Sequence, residues 1–550
     1  MIDLWYKNAV IYSLDVATFA DGNDDGIGDF RGLCDRLPYL AGIGITCVWL
    51  LPFYPSPRRD DGYDVADYYG VDPRYGTLGD FVDFTRLASE FGIRVIIDLV
   101  VNHTSSDHHW FKAARSDPNS EYRDWYIWSR TKPKNPASGT VFPGVQRTTW
   151  TYDRFARAYY FHRFYDFQPD LNTGNPRVRE EIERIMGFWL QLGVTGFRID
   201  AVPFLIQDKG VGAPLGYEQY GYLREWRRFL SWRRGDAMML GEANVMPKET
   251  LNFIGDDDRL NLLFNFWANQ HLFLAIACEE AGPLVKAFEA LPELPPTAQW
   301  ANFLRNNDEL DLGRLSDEER GLCMQLFAPA PEMQLYGRGI RRRLAPMLQG
   351  DRRRMELMNS LMFTLSGTPV IRYGEEIGMG DDMRLPERNA IRTAMQWSGE
   401  RNGGFSRVAR EKLRIPTISE GEYRFERVNV AAQRLDENSF LNWTERAIRT
   451  RKECPEFGWG KMQFLRTDKP SVLAHACTWN GRTVIAVHNF SRASVSVKIE
   501  WPKGTTQKLH VFGRTVREPL PQHSPMLDLD GYDYQWLRVQ PDSSAPQETT

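Results

Sequence analysis

The chain has 550 residues, of which 42% are hydrophobic and 25% charged, and its formal net charge is −4. Single domains seldom grow beyond ~250–300 residues unless they are large barrels, so we expect one large domain and at least one smaller module. The charge balance offers no broad basic surface, which argues against a nucleic-acid partner.

The cysteine pattern and the N-terminus predict a cytoplasmic protein with no membrane span. The six cysteines form no CxxC or CxxH pair that would indicate zinc or redox chemistry, and they are interpreted as reduced core residues: Cys34, Cys47, Cys278, Cys323, Cys454 and Cys477. The opening MIDLWYKNAV lacks a targeting pattern, and no apolar run reaches the ~18 residues that a membrane helix needs.

Eight short apolar runs alternate with segments of helical periodicity. In chain order they are AVIYSLDV (9–16), CVWLLPF (47–53), RVIIDLV (94–100), GFRIDAV (196–202), MMLGEAN (238–244), LNLLFNF (260–266), AQWANFLRN (298–306) and TPVIRYG (368–374). Before the fourth run, Asn175 can cap a helix, and an apolar stripe follows it as far as Gly193. Runs buried on both faces and separated by helices indicate a parallel sheet, so the sequence predicts an α/β fold, a (β/α)8 TIM barrel.

Two segments depart from this even spacing. Residues 104–165 fall between the third and fourth runs, and a stretch of that length predicts an inserted subdomain rather than a loop. After the barrel, alternating runs within residues 471–501 predict a C-terminal antiparallel β-sandwich. The predicted domains are the barrel (1–103 and 166–455), the inserted subdomain (104–165), the β domain (456–541) and a flexible tail (542–550).

Polar residues that close the apolar runs are candidates for catalysis, because active sites of such barrels lie at the carboxyl ends of the strands. These residues are Asp98, Asn102, His103, Arg198, Asp200, Glu242, Asn306, Asn307 and Asp308. Two carboxyl groups about 5–5.5 Å apart are what a retaining glycosidase needs. We expect Arg198 to hold down the pKa of Asp200, and the apolar surroundings of Glu242 to raise its pKa.

These blocks resemble those of the alpha-amylase family, glycoside hydrolase family 13. The matching stretches are DLVVNHT (98–104), QPDLN (168–172), GFRIDAV (196–202), GEAN (241–244), RNND (305–308) and GTPVIRYGEEIGM (367–379). The resemblance implies Asp200 as nucleophile, Glu242 as acid/base and Asp308 as transition-state stabiliser. It places Arg198 and His103 among the residues that bind the sugar.

Within that family the chain is most similar to trehalose synthases, in stretches outside the general catalytic blocks such as LPFYPSPRRDDGYDVADYYG (51–70) and RNAIRTAMQW (388–397). The resemblance implies a disaccharide substrate and interconversion of maltose and trehalose. It also implies that Asp60 and Arg392 pair to close the far end of the glucose site, while Tyr63 stacks on the ring. The alternative for Asp60 and Arg392 is a surface salt bridge.

The stretch DGNDDGIGD (21–29) has the spacing of a calcium loop. It offers oxygens from Asp21, Asn23, Asp25 and Asp29 and the carbonyl of Ile27. Gly32 stands where an EF-hand has its bidentate Glu, so an EF-hand is excluded. Members of the family use a similar loop for structural calcium, and the alternative here is a turn without metal.

One residue departs from the family pattern. Asn307 stands where the family has a histidine that binds the transferred sugar, and an amide cannot supply a charge-assisted hydrogen bond. Three hypotheses remain open: a trehalose synthase-like enzyme with a weakened contact, an α-glucosidase or transglucosylase acting on a different small α-glucoside, and a non-catalytic sugar-binding homologue. A homo-oligomer also remains open.

Overall fold

The computed structural model describes residues 3–210, 219–503, 505–514 and 524–541. Its centre is a closed barrel of eight parallel strands. The strands are β1 (Ile11–Leu14), β2 (Cys47–Leu50), β3 (Arg94–Leu99), β4 (Gly196–Ile199), β5 (Met238–Gly241), β6 (Leu262–Phe264), β7 (Gln299–Phe303) and β8 (Thr368–Arg372). Each predicted apolar run supplies one strand, so the predicted barrel is confirmed.

Helices surround the barrel and cover the outer faces of its strands. The α-helices in the barrel part are Val16–Phe19, Phe30–Asp35, Leu37–Gly42, Leu78–Glu90, Pro176–Gln191, Val202–Leu205, Gly221–Arg233, Thr250–Ile254, Phe266–Cys278, Gly282–Glu289, Asp317–Phe327, Leu344–Met347, Arg352–Thr364, Val430–Leu435, Phe440–Glu453 and Glu456–Trp459. The predicted helix before β4 begins with the side chain of Asn175 accepting a hydrogen bond from the Arg177 amide. Gly193, just after its end, has φ +101°, a left-handed conformation that favours glycine.

The segment between β3 and β4 folds as its own small layer. It contains the helix His109–Ser116, the 3-10 turn Arg123–Trp125, and an antiparallel sheet of Trp128–Ser129, Trp150–Asp153 and Ala158–Phe161. A second small sheet follows β7 and consists of Leu310–Asp311, Gln334–Leu335 and Gly339–Ile340. Both lie on the side of the barrel where the strands end.

Two antiparallel sheets follow the barrel. Their strands are β9 (Lys461–Leu465), β10 (Val472–Trp479), β11 (Arg482–Asn489), β12 (Val495–Lys498), β13 (Thr505–Gly513), β14 (Met526–Leu529) and β15 (Tyr534–Pro541). One sheet has the order β9-β10-β11-β15-β13, and the other pairs β12 with β14. A separate apolar cluster, with Ile485, Val497 and Leu529 among its members, joins the two sheets. The predicted domain boundaries stay predictions, and the predicted tail lies outside the described residues.

The cysteine interpretation agrees with the structure at most positions. All six thiols are free; Cys47, Cys323, Cys454 and Cys477 are buried, and Cys278 is exposed. Across the part of the chain that the structure describes, no helix has the length and apolar character needed to cross a membrane.

Candidate active site

A cavity of about 510 Å³ opens at the carboxyl ends of the barrel strands. This volume lies within the ~300–1,000 Å³ typical of small-molecule sites. The predicted residues that line it are Asp60, Tyr63, His103, Asp200, Glu242, Asn306 and Asp308. The structure therefore brings the three predicted catalytic acids to one cavity, while Arg198, Asn307 and Arg392 are buried around it.

Strand register places the first two acids. Asp98 and Arg198 are partners across β3 and β4, and because side chains alternate along a strand, Asp200 continues the face of Arg198. Glu242 follows β5, and its amide donates to the Ile199 carbonyl at 3.1 Å. The Arg198 guanidinium contacts Asp98 and Asp200 at 2.6 Å each and Glu242 at 2.7 Å.

Burial controls the protonation of the two central acids. It raises the pKa of Asp200 to about 6, although Arg198 acts in the opposite direction. It raises the pKa of Glu242 to about 7, again opposed by Arg198. The predicted direction is right for Glu242. For Asp200 the predicted effect of Arg198 is present, but the net shift is upward because the cost of burying the carboxylate is larger.

Asp308 lies in a different electrostatic environment. Its Oδ1 atom is 3.0 Å from Arg388 Nη1 and 3.0 Å from Arg392 Nη2. Burial disfavours the charged form, but the two guanidinium groups outweigh it and lower the pKa of Asp308. The side chain is therefore an anion in the neutral pH range, as a residue that stabilises positive charge on a sugar requires.

The structure pairs Arg392 directly with Asp61 rather than with the predicted Asp60, although the charge of Arg392 still opposes the rise that burial causes in the pKa of Asp60. Besides its contact with Asp308, Arg392 forms an ion pair with Asp61, and its Nε donates to the Asn307 carbonyl at 3.0 Å. Asp60 instead accepts a hydrogen bond from Gln168 Nε2 at 2.9 Å, and burial raises its pKa. Asp61 has φ +46°, so the backbone turns at this position and gives two adjacent carboxylates different directions.

Tyr63 and His103 form one wall of the cavity. His103 Nε2 is 3.1 Å from the Tyr63 carbonyl, and burial lowers the pKa of the imidazole. The Tyr63 hydroxyl donates to Asp98 Oδ2 at 3.4 Å. These contacts fix a phenol ring and a neutral imidazole on the cavity wall, where an aromatic face can contact a sugar.

Asn307 does not line the cavity and is only 5% exposed. Its Oδ1 accepts a hydrogen bond from Arg372 Nη2 at 3.4 Å. Arg372 is 1% exposed, and burial lowers its pKa to about 9. Among the residues that the structure describes, Arg372 forms no ion pair. The structure therefore places a buried guanidinium against the side chain that replaces the family histidine.

The predicted calcium loop is compact, and its oxygens face backbone amides. The Asp21 carboxylate accepts hydrogen bonds from the amides of Asp24, Asp25 and Gly26, and the Asp29 carboxylate accepts from Gly22 and Gly32. Asn23 Oδ1 accepts from Asp25, and Asp25 Oδ1 from the Ile27 amide.

The negative charge of the loop suits a cation, but its side chains do not converge on one point. Within the described residues, Asp21, Asp25 and Asp29 form no ion pair, so the loop concentrates negative charge that calcium would neutralise. However, no group of three or more His, Cys, Asp or Glu side chains in the described part of the chain is arranged to hold a metal ion. Calcium stays a prediction.

The arrangement of the barrel and its acids agrees with one protein family. The model of the alpha-amylase catalytic domain matches residues 13–308 and 341–460. The chain belongs to the alpha-amylase family. Within it, a trehalose synthase from Thermus thermophilus is 45% identical over 90% of this chain and 51% of its own length. This chain thus spans about half of that relative.

Another member of the alpha-amylase family matches at nearly full length. A trehalose synthase/amylase from Mycobacterium tuberculosis is 39% identical over 97% of this chain and 90% of its own. Among solved structures, an isomaltulose synthase from Klebsiella superposes with a TM-score of 0.78 at 25% identity, covering 98% of this chain and 99% of its own.

Sequence reasoning missed two arginines in this alpha-amylase site. Arg388 bridges Asp308 and Glu309, at 3.0 and 2.7 Å, and Arg372 contacts Asn307. Both arginines lie in stretches that carry the family resemblance: Arg388 in RNAIRTAMQW and Arg372 in GTPVIRYGEEIGM. Arg372 ends β8, so the rule that strand ends carry functional residues would have found it. Arg388 lies in a 3-10 turn and gave no such signal.

Proposed function

We propose that the chain is a retaining enzyme that interconverts maltose and trehalose and hydrolyses a fraction of either sugar. The observation that carries the chemistry is the placement of Asp200 and Glu242 on one guanidinium, with Asp308 in the same cavity. The choice of substrate is supported by the relatives named trehalose synthase.

The proposed reaction has two steps. Asp200 attacks the anomeric carbon of a terminal α-glucosyl unit while Glu242 protonates the leaving oxygen, and the bond between that oxygen and the carbon breaks. The result is a glucosyl ester on Asp200. Glu242 then removes a proton from an acceptor hydroxyl, which attacks the same carbon and releases Asp200.

The acceptor decides the product. If the released glucose attacks through its own anomeric hydroxyl, maltose becomes trehalose; if water attacks, glucose is the product. Asp308 stabilises the positive charge that develops on the sugar in both steps. Arg198 orients the two acids through the contacts described above.

Product analysis tests this function. The protein is incubated separately with maltose, trehalose and sucrose, and the sugars are resolved by chromatography. We expect trehalose from maltose, maltose from trehalose, and free glucose in both reactions. If none of these α-glucosides gives a glucosyl product while the protein remains folded, the proposal is wrong.

A second candidate is supported by the environment of Asn307. Asn307 is buried against Arg372, so the enzyme lacks the hydrogen bond that the family histidine makes to the sugar. The loss of this bond favours a different small α-glucoside as the substrate of an α-glucosidase or transglucosylase. Turnover of sucrose or of an aryl α-glucoside without interconversion of maltose and trehalose supports this candidate. A non-catalytic sugar-binding homologue is disfavoured because all three acids line the cavity.

Three further properties belong to this proposal. A cytoplasmic location is supported by the six free thiols, and a homo-oligomer stays a prediction. Calcium in the loop of residues 21–29 is supported by the negative charge of that loop. A small-molecule sugar as the partner is supported by the family.

A further inference from the structure

A buried lysine lies beside the residues that follow β3. The Lys209 side chain is 2% exposed, and its Nζ atom is 2.9 Å from Asp170 Oδ2 and 2.7 Å from Asn102 Oδ1. The backbone carbonyls of Asn102 and Leu171 are each 3.3 Å from the same nitrogen. All four oxygen atoms are acceptors, and the nitrogen offers them three N–H donors only when it is protonated. Lys209 is therefore an ammonium held in a cage of these four oxygens.

The oxygen cage joins three segments that surround the cavity. Asn102 follows β3, and Asp170 and Leu171 lie near the end of the segment between β3 and β4. These two segments also bond to each other, since the Leu171 amide donates to the Asn102 carbonyl at 2.9 Å and Asn102 Nδ2 donates to Asp170 Oδ2 at 3.2 Å. Lys209 belongs to the stretch that follows β4 and the proposed nucleophile Asp200. The ammonium thus adds a third segment to a junction that the other two already form.

The Asp170 carboxylate requires a positive charge at this junction. It is 0% exposed, and among the ion pairs of the described residues it takes part only in the one with Lys209. Burial lowers the pKa of Lys209, while the charge of Asp170 acts in the opposite direction. Removing the ammonium would leave a buried carboxylate without a countercharge, which costs far more than the loss of a surface ion pair. Residue 209 therefore has to supply a cation while the cage keeps its present form.

The oxygen cage is connected to His103, which lines the cavity. His103 Nε2 is 3.1 Å from the Tyr63 carbonyl, so this nitrogen carries the proton and Nδ1 is left as an acceptor. Asn102, whose Oδ1 accepts from Lys209, places its Nδ2 group 3.3 Å from His103 Nδ1. A shift of Asn102 would therefore displace the imidazole on the cavity wall.

The atoms around the ammonium are of the kind that bind small hard cations. One carboxylate, one side-chain amide and two backbone carbonyls surround it, and calcium takes the same oxygen donors. A single carboxylate supplies little negative charge, so a free cation would bind here more weakly than at a site with several acids. Because the ammonium is attached to the chain, it occupies the cage whatever the concentration of cations in solution.

We propose that Lys209 is a positioning residue whose ammonium serves as a built-in cation: it joins the end of β3, the inserted segment and the stretch after Asp200, and so holds His103 in place for the sugar. The inference deepens the proposed function, and it rests on that function only in requiring that the cavity act on an α-glucoside. It implies that the oxygen cage accepts a free cation when residue 209 is too short to fill it.

Two variants separate the charge of Lys209 from its bulk. Lys209→Met keeps most of the side-chain length without a charge, whereas Lys209→Ala removes the charge and leaves room in the cage. Hydrolysis of p-nitrophenyl α-glucoside is measured with and without calcium or methylammonium. We expect both variants to lose about 10- to 100-fold in kcat/KM, with a raised KM because His103 is predicted to bind the sugar. Either cation should restore kcat/KM by about tenfold in Lys209→Ala and leave Lys209→Met unchanged.

The thermal stability of the same variants reports cation binding without depending on activity. Binding to the folded state raises the Tm, so calcium should raise the Tm of Lys209→Ala by several degrees more than that of Lys209→Met. The difference between the two variants cancels the effect of calcium bound elsewhere, as in the loop of residues 21–29. The matched control is Lys112→Ala, which removes a 58% exposed lysine from the inserted segment and should keep the kcat/KM and Tm of the unmodified protein.

Three results each overturn the inference: unchanged kcat/KM in both Lys209 variants, losses that neither cation reverses in Lys209→Ala, and equal calcium-induced Tm shifts in the two variants. If the unmodified protein hydrolyses the aryl glucoside but does not interconvert maltose and trehalose, the proposed function fails, and the same kinetics still decide the role of Lys209. If it acts on neither substrate, the Tm shifts alone decide whether the cage holds a cation.

Discussion

Asp200 and Glu242 bind the same guanidinium: Arg198 Nη1 is 2.6 Å from Asp200 Oδ1, and Arg198 Nη2 is 2.7 Å from Glu242 Oε2. One rigid planar group therefore sets the distance and orientation between the proposed nucleophile and the proposed acid/base. The same arginine binds Asp98, so its position depends on β3 and β4 together.

The pH dependence of kcat/KM follows from these two acids. Asp200 must be ionised to attack, and burial raises its pKa to about 6, so activity should rise as pH increases through that value. Glu242 must be protonated, and its pKa of about 7 makes activity fall above neutrality. We expect a bell-shaped profile with its maximum between pH 6 and 7. A profile that is flat from pH 5 to 9 would contradict this assignment.

A covalent intermediate should accumulate when Glu242 is changed. Glu242→Gln removes the proton donor and the later base, which should lower kcat on maltose by about 10²- to 10⁴-fold. A substrate with a good leaving group, such as α-glucosyl fluoride, still reacts with Asp200, so mass spectrometry should find a hexosyl group on the peptide that contains Asp200.

Glu249→Gln is the matched control for that variant. Glu249 lines the same cavity, but its Oε2 accepts a hydrogen bond from the Met246 amide. We expect it to retain most of the activity and to accumulate no adduct. Labelling of a different carboxylate in Glu242→Gln would show that the nucleophile is misassigned.

The barrel and its acids could be predicted because both depend on local sequence. The runs that form β1 to β8 are continuously apolar, as buried parallel strands must be, and Asp200 and Glu242 immediately follow two of them. A strand end fixes both the location and the direction of the next residue, so the sequence indicated the cavity.

Contacts between loops could not be predicted in the same way. The rings of Phe142 and Tyr336 are in contact, although the two residues lie 194 positions apart in segments without periodicity. Asp60 and Asp61 are adjacent, and only the backbone turn at Asp61 gives their carboxylates different directions. Nothing in the order of the residues says which of two adjacent carboxylates faces Arg392. The net pKa of Asp200 was missed for a related reason, since burial depends on every segment packed around the site.

The corrected partner of Arg392 can be measured by double-mutant cycles. Arg392 contacts Asp61 directly, whereas Asp60 bonds to Gln168. From the free energies of unfolding of Arg392→Gln, Asp61→Asn and the double variant, we expect a coupling of about 1–3 kcal/mol. The matched cycle with Asp60→Asn should give a smaller coupling, because Arg392 acts on Asp60 through its charge and without a direct bond. A larger coupling with Asp60 would restore the original expectation.

Calcium should stabilise the protein if it binds the loop of residues 21–29. Binding to the folded state alone raises the Tm, so adding calcium to chelator-treated protein should shift the Tm upward, and a chelator should reverse the shift. Asp25→Asn keeps the side-chain shape and removes one charge, and we expect a smaller shift for it. Equal Tm values with calcium and with chelator would reject the site.

We expect the position of Asn307 not to accept the family histidine. Restoring the family residue with Asn307→His would raise activity if this chain had merely lost a contact to the sugar. In the structure, however, the side chain is buried against Arg372 and outside the cavity lining. A larger imidazole there should crowd the guanidinium, which would also keep the ring neutral by repelling a second positive charge. We therefore expect Asn307→His to lower the free energy of unfolding by about 1–3 kcal/mol and to lower kcat/KM on maltose.

The double variant with Arg372→Gln separates the two explanations for Asn307. Since Arg372→Gln removes the buried charge and shortens the side chain, it should recover part of the stability that Asn307→His loses. Urea unfolding measures the recovery, and maltose kinetics measures the activity. If Asn307→His alone raises kcat/KM, the contact with Arg372 does not control this position, and the missing histidine is a simple loss.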